Sequence, residues 1–261
     1  MNLSLAGKRA LVGGSTQGIG LAIAQELATL GASCVLLGRS SSALEAARSS
    51  LDQSFGQSHS IVLADHTDPD ALHKALDSAL STGPIHILIN NSGGPASGPI
   101  LQATAEAFLL TFQQHLLANH QLAQLLIPGM RAAGYGRIIN IISTSVRIPL
   151  KNLGVSNTIR GAVASWAKTL ANEVGPDQIT VNNILPGFTR TQRLTSLLEE
   201  KAKKENRSAE SIEQEWRSEV PLRRIGMPEE IASLAAFLAS PAASYISGVS
   251  IPVDGGRTGS I

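Results

Sequence analysis

Seven short apolar runs, separated by stretches with helical periodicity, constrain this chain more than any other feature. The runs are RALVGG (9–14), SCVLLG (33–38), SIVLAD (60–65), IHILINN (85–91), RIINIIS (137–143), ITVNNI (179–184) and GVSIPVD (248–254). They are apolar on both faces, the pattern of parallel strands covered by helices on each side. Apolar spacing predicts the covering helices over 18–30, 41–54, 69–81, 104–133, 153–174 and 228–239. Repeated β–α units with right-handed crossovers build a doubly wound sheet. The expected fold class is α/β, a seven-stranded parallel sheet with helices on both faces.

No internal repeat, low-complexity segment or linker interrupts the alternation, so residues 1–261 read as one domain. The exception is 189–220, TRTQRLTSLLEEKAKKENRSAESIEQEWRSEV, a charged helical insertion after the sixth strand. Its charges fit a solvated face. Its place beyond a strand's C-terminal end, where open α/β sheets bind ligands, also fits a substrate-covering lid.

Composition narrows the partners. A net charge of +1 provides no basic field for a phosphate backbone, and 3% aromatics leave little for base stacking, so nucleic acid is not expected. The opening MNLSLAGKRALVGG has no long apolar core of a signal peptide, and no apolar stretch is long enough to span a bilayer. The expectation is a cytoplasmic protein without membrane association. The single cysteine, Cys34, lies in an apolar run and reads as a buried thiol. The six histidines show no metal-ligand spacing, and no metal is expected.

LVGGSTQGIGLAIAQELA (11–28) joins the first strand to the first helix. Its glycines, Gly14, Gly18 and Gly20, permit a tight turn and close approach of backbone to a pyrophosphate, while the helix N-terminus offers unpaired N–H groups to the charge. In this strand–turn–helix setting the loop is a dinucleotide-binding signature, and the fold expected is Rossmann-type.

From this point the chain resembles the short-chain dehydrogenase/reductase family, nearly end to end. INNSG (89–93) is similar to the family's Asn-Asn-Ala-Gly strand end, with Ser92 in place of Ala; AD (64–65) lies where the family sets an adenine-contacting aspartate. PGFTRT (186–191) matches its Pro-Gly-x-x-x-Thr element near the nicotinamide carboxamide, and RIGMPEEIA (224–232) and VDGG (253–256) resemble its C-terminal signatures. The resemblance implies a cofactor site made by Gly14, Ser15, Thr16, Gly18, Ile19, Gly20, Asp65, Asn91, Pro186, Gly187, Thr189 and Thr191. It also implies a homo-oligomer, tetramer or dimer, with the helices at 104–133 and 153–174 on the dimer face.

At the end of the second strand, Gly38 stands where NAD-dependent relatives carry an acid. Arg39 follows, with Ser40 and Ser41 beside it. A guanidinium fork suits a 2′-phosphate, so NADP(H) is favoured over NAD(H); a solvated loop arginine is the alternative.

The family handles its reacting group with an Asn-Ser-Tyr-Lys set. Ser143 occupies the serine position. The family spacing then places Ser156 at the tyrosine and Arg160 at the lysine, and His115 falls at the asparagine, with Asn119 one turn later. A serine hydroxyl is far less acidic than a phenol, whose unperturbed pKa is near 10, and an arginine does not pass a proton. The two tyrosines, Tyr135 and Tyr245, precede the fifth and last strands and lie away from the active end. Candidate proton donors are His115, whose unperturbed pKa suits neutral pH, and Lys151 in the loop after Ser143. A histidine filling the asparagine slot, and a solvated lysine, are the plainer readings.

Three functions follow. The first is an NADP(H)-dependent oxidoreductase acting on a small-molecule carbonyl or secondary alcohol through a non-standard proton donor. The second is a cofactor-binding or scaffold homologue without turnover. The third is a non-redox enzyme of the same fold; halohydrin dehalogenases, which resemble the family, place arginine at the lysine position but keep the tyrosine and remodel the nucleotide loop, the reverse of this chain.

Overall fold

Seven parallel strands form one sheet in the order β3-β2-β1-β4-β5-β6-β7. The computed structural model describes residues 1–65 and 68–260. The strands are β1 (Arg9–Gly13), β2 (Ser33–Gly38), β3 (Ser60–Leu63), β4 (Ile87–Asn90), β5 (Gly136–Ile141), β6 (Ile179–Pro186) and β7 (Ser250–Val253). The helices are α1 (Gly18–Thr29), α2 (Ser41–Ser49), α3 (Pro69–Ser81), α4 (Ala105–Phe112), α5 (Ala118–Ala132), α6 (Gly154–Val174), α7 (Gln192–Glu205), α8 (Ala209–Glu219) and α9 (Pro228–Ala239). The expected doubly wound α/β fold is the observed one.

The double-sided burial inferred from the apolar runs is visible in β1. Ala10 and Val12 enter a core with α1, α2 and α9, whereas Leu11 enters the opposite core with α3, α5 and α6. All three are fully buried. Burying a leucine or valine side chain contributes about 1.5–3 kcal/mol, so β1 is fixed from both faces, whereas the edge strands β3 and β7 are only partly covered. β1 pairs with both β2 and β4. The chain winds outward in opposite directions from that point, which opens a crevice beyond the C-terminal ends of β1 and β4.

Beyond small shifts at element ends, three larger differences from the sequence expectation have a physical reason. α2 stops at Ser49 rather than 54, where the Ser49 and Ser50 hydroxyls donate to the Glu45 and Ala47 carbonyls and compete with helical continuation. The long helix expected over 104–133 is divided by a π-helical turn, Gln113–Leu117, between α4 and α5. Periodicity does not register one extra residue in a turn. The insertion at 189–220 forms two helices, reversing at Asn206, whose φ is +50°. They enclose a small core of Leu198, Ala202, Ile212 and Trp216, with Ile225, and Phe188 stacks on Trp216 at 4.8 Å. Many of its charges pair: Arg207 with Glu205 and Glu215, Lys201 with Glu215, and Arg190 with Glu213.

Candidate active site

The glycine loop lies at the mouth of the crevice. Gly14 has φ +54°, in the left-handed region. A Cβ on Gly20 would meet the Gly14 carbonyl oxygen at 2.2 Å, so only glycine permits this approach. The Asn91 amide donates to the Gly13 and Gly14 carbonyls at 3.1 and 3.3 Å, tying the loop to the end of β4. Ser15 is turned inward: it is fully buried and its hydroxyl donates to the Leu37 carbonyl at 3.3 Å. It braces the loop against β2 and offers its side chain to nothing outside. Thr16 and Ile19 are half-buried along the same loop.

The α1 N-terminus differs from most others in the molecule. α2, α3, α4, α7 and α8 are capped by the side chains of Ser40, Asp68, Thr104, Thr191 and Ser208. α1 has no side-chain cap and no acid in its first turn. Its leading N–H groups and positive dipole end therefore face the glycine cradle, which is what a pyrophosphate requires. The residues present fit a dinucleotide.

At the end of β2, a Cβ on Gly38 would lie 3.2 Å from Leu44 and 3.3 Å from Thr16. Arg39 extends into solvent, 74% exposed, in a loose 3.7 Å pair with Asp65. Ser40 accepts from the Ala43 amide as the α2 cap. Across the crevice, Pro186 pairs with Val253 in β7, and a Cβ on Gly187 would strike Asp254. Thr189 is buried and donates to the Gly187 carbonyl; Thr191 donates to the Thr189 carbonyl and caps α7 through the Leu194 amide. A Cβ on Gly18 would approach the Thr191 methyl at 3.3 Å, so this segment lies against the glycine loop.

The acid–base positions fall into separate hydrogen-bonded sets, Arg160 with Ser156 beside the end of β5, and His115 with Ser92 beyond the end of β4. Ser143 accepts from the Ser145 amide at 3.1 Å, an arrangement that leaves its hydroxyl proton available. Arg160, on α6, donates through Nη1 to the carbonyls of Ile141 and Ile142 at 3.2 and 2.9 Å and through Nε to Ser156 Oγ at 3.3 Å. Burial, with a contribution from the nearby Arg193 cation, pushes the Arg160 guanidinium down to about 10. It remains protonated at neutral pH. His115 sits in the π-helical turn, buried, with Nδ1 2.9 Å from Ser92 Oγ. Two departures from the family pattern, Ser92 for alanine and His115 for asparagine, are thus in direct contact. Asn119 is buried one turn beyond.

The other candidates lie elsewhere or in solvent. Tyr135, at the opposite end of the sheet, donates to the Ala239 carbonyl and is flanked by the Lys8 and Arg137 cations. Tyr245 is fully exposed, and Lys151 is exposed in its loop. Cys34 is buried, and burial pushes its thiol up to about 12. No group of acids, histidines and cysteines among the described residues could hold a metal ion, and no described helix is long and apolar enough to cross a membrane.

Two features escaped sequence reasoning. The first is Arg193, in the first turn of α7, which donates to the Pro95 carbonyl across the cleft. The second is a row of side chains under the site. Asn90 donates to Asn140 at 2.8 Å, Asn140 to Asn183 at 2.9 Å and Asn183 to Ser250 at 3.0 Å, linking β4, β5, β6 and β7. The asparagines are visible in the sequence, but only the strand register makes them neighbours.

Comparison with known proteins agrees with this geometry. The family described as enoyl-(acyl carrier protein) reductase matches residues 14–258. A tropinone reductase homologue of Arabidopsis thaliana is 36% identical over 258 residues, spanning 98% of this chain and 91% of the relative. The NADPH-dependent reductase BacG of Bacillus subtilis is 32% identical over 256 residues, spanning 97% and 99%. The structure of L-sorbose reductase from Gluconobacter frateurii, complexed with NADPH and L-sorbose, superimposes with a TM-score of 0.94 at 35% identity over 100% of both chains. With the glycine cradle, the doubly wound sheet and similarity along almost its whole length, the chain belongs to the short-chain dehydrogenase/reductase family.

Proposed function

We propose that this chain is an NADP(H)-dependent oxidoreductase interconverting a ketone and a secondary alcohol on a small molecule. The observation that carries the reading is the uncapped α1 N-terminus facing the glycine cradle. NADPH use by BacG and the NADPH complex of L-sorbose reductase support the choice of cofactor. The exposed Arg39 supports preference for NADP(H) over NAD(H), because its fork, held only in a loose pair with Asp65, can turn onto a 2′-phosphate. When bound, the nicotinamide supplies or accepts the hydride.

The chain's own residues supply the rest. Ser143 donates to the substrate oxygen. Arg160 fixes the end of β5 through two carbonyls and orients Ser156. The proton comes from the His115–Ser92 pair, because imidazole is the side chain whose unperturbed pKa suits proton transfer near neutral pH. Helices α7 and α8 cover the substrate. The protein is cytoplasmic and assembles as a dimer or tetramer, for which the exposed Leu109, Leu110 and Leu117 provide an apolar face.

Fluorescence titration with NADPH and NADH, followed by turnover on ketone and alcohol panels, tests the reading. NADPH is expected to bind at least about tenfold more tightly. Ser143→Ala is expected to lower kcat about 100-fold without weakening NADPH. Tight NADPH binding with no turnover on any substrate would overturn the oxidoreductase reading in favour of a binding-only homologue.

A further inference from the structure

We propose that Arg160 and Arg193 form a carboxylate-binding pair, and that the substrate is an oxo acid whose acidic group lies beside its reacting carbonyl. The inference rests on the oxidoreductase reading and adds the substrate class.

The two guanidinium groups converge on one point. A Cβ placed on Gly94 would lie 3.7 Å from Arg160 Nη2 and 3.9 and 4.0 Å from Arg193 Nε and Nη2. Because residue 94 is glycine, that space carries no side chain. Neutral partners hold both arginines in place without cancelling their charge. Arg160 is anchored by the Ile141 and Ile142 carbonyls and Ser156, and Arg193 by the Pro95 carbonyl. Neither has a carboxylate within ion-pair distance among the described residues, although the same insertion pairs many of its other charges. Glu200, two turns along α7, accepts from Ser97 and pairs with neither arginine.

The helix geometry adds to the positive field. Arg193 lies in the first turn of α7, where no acid is present to balance the positive end of the dipole. Two half-buried cations beside a helix N-terminus are unfavourable until an anion joins them. Paired guanidinium forks match a carboxylate in shape as well as charge. The location relates that carboxylate to the reacting carbonyl, because Ile142, whose carbonyl binds Arg160, immediately precedes Ser143. On reduction, hydride adds to the carbonyl carbon and a proton to its oxygen, while the carboxylate keeps its charge and its partners. The cofactor's phosphates have their own seat at α1.

The test compares pyruvate and phenylpyruvate with their methyl esters, using NADPH. It is joined by calorimetric titration of oxamate, which is not reduced, into NADP⁺-loaded protein. The acids are expected to exceed the esters in kcat/KM by about tenfold or more. Arg193→Gln is expected to cut both that ratio and oxamate affinity about tenfold or more, with NADPH affinity unchanged. Arg193→Lys should recover part of the loss. Arg190→Gln, which removes a guanidinium already paired with Glu213, should change neither. An unchanged ratio in Arg193→Gln, or a parallel loss of NADPH affinity, would overturn the proposal; the latter would assign the pair to a cofactor phosphate. Absence of turnover with acids and esters alike would count against the oxidoreductase reading. Oxamate then decides the arginine pair by itself: weakened binding in Arg193→Gln supports it, and no binding to the wild type overturns it.

Discussion

At the nucleotide end of the cleft, the groups facing the ligand space are largely backbone: the first amides of α1 and the glycines that let a ligand approach them. Side chains there mostly brace the loop, as Asn91 and Ser15 do. At the other end, the groups proposed for acid–base work are side chains, Ser143, Ser156, Arg160, His115 and Ser92. The contrast explains why the two ends have diverged to different degrees from the family pattern. A backbone site is secured by the fold itself, whereas a proton-transfer site changes with each side chain that forms it. Two of these side chains, Ser92 and His115, lie in direct contact.

The comparison breaks most severely where the backbone site is blocked. Gly20→Val places a branched side chain against the Gly14 carbonyl, already 2.2 Å from a bare Cβ. NADPH affinity is expected to fall by about 100-fold or more, measured by fluorescence titration, with circular dichroism and calorimetric Tm confirming a folded sheet. Unchanged affinity in the folded variant would mean that the cofactor does not approach through this cradle.

A smaller effect is expected at the other end. Ser156→Tyr with Arg160→Lys restores the family's side chains there and should raise ketone reduction about tenfold, within the range of general acid catalysis. No gain in a folded, NADPH-binding double variant would show that the acid–base site has been rebuilt around other residues. The smallest change separates the cofactors. Arg39→Ala should weaken NADPH several-fold to about tenfold and leave NADH alone, since its side chain is 74% exposed and a charge pair there is screened. Equal loss for both cofactors would remove Arg39 from 2′-phosphate recognition.

The same contrast governed what could be read from the chain. The strands, the glycine loop and the closeness of Ser156 to Arg160 beside the end of β5 were legible, because each depends on local pattern or fixed spacing within one strand–helix unit. Arg193 was not. It was one arginine in a charged insertion, and its meaning arises only when α7 lies across Gly94. The inward turn of Ser15 and the contact between Ser92 and His115 likewise depend on side-chain direction and on a π-helical turn. Periodicity carries neither.

The asparagine row beneath the site has a consequence for which changes in length this protein tolerates. Side chains alternate between the two faces of a strand, so adding one residue between the start of β4, β5 or β6 and its asparagine would turn that amide to the opposite face. It would also turn the residues that follow, among them Ser143 after β5. Length changes in these strands are therefore confined to the stretches before pairing begins, while the segments beyond the strand ends remain free to lengthen. The row acts as a parity check on the sheet: the loops can acquire new substrates only if the count of residues beneath them is preserved.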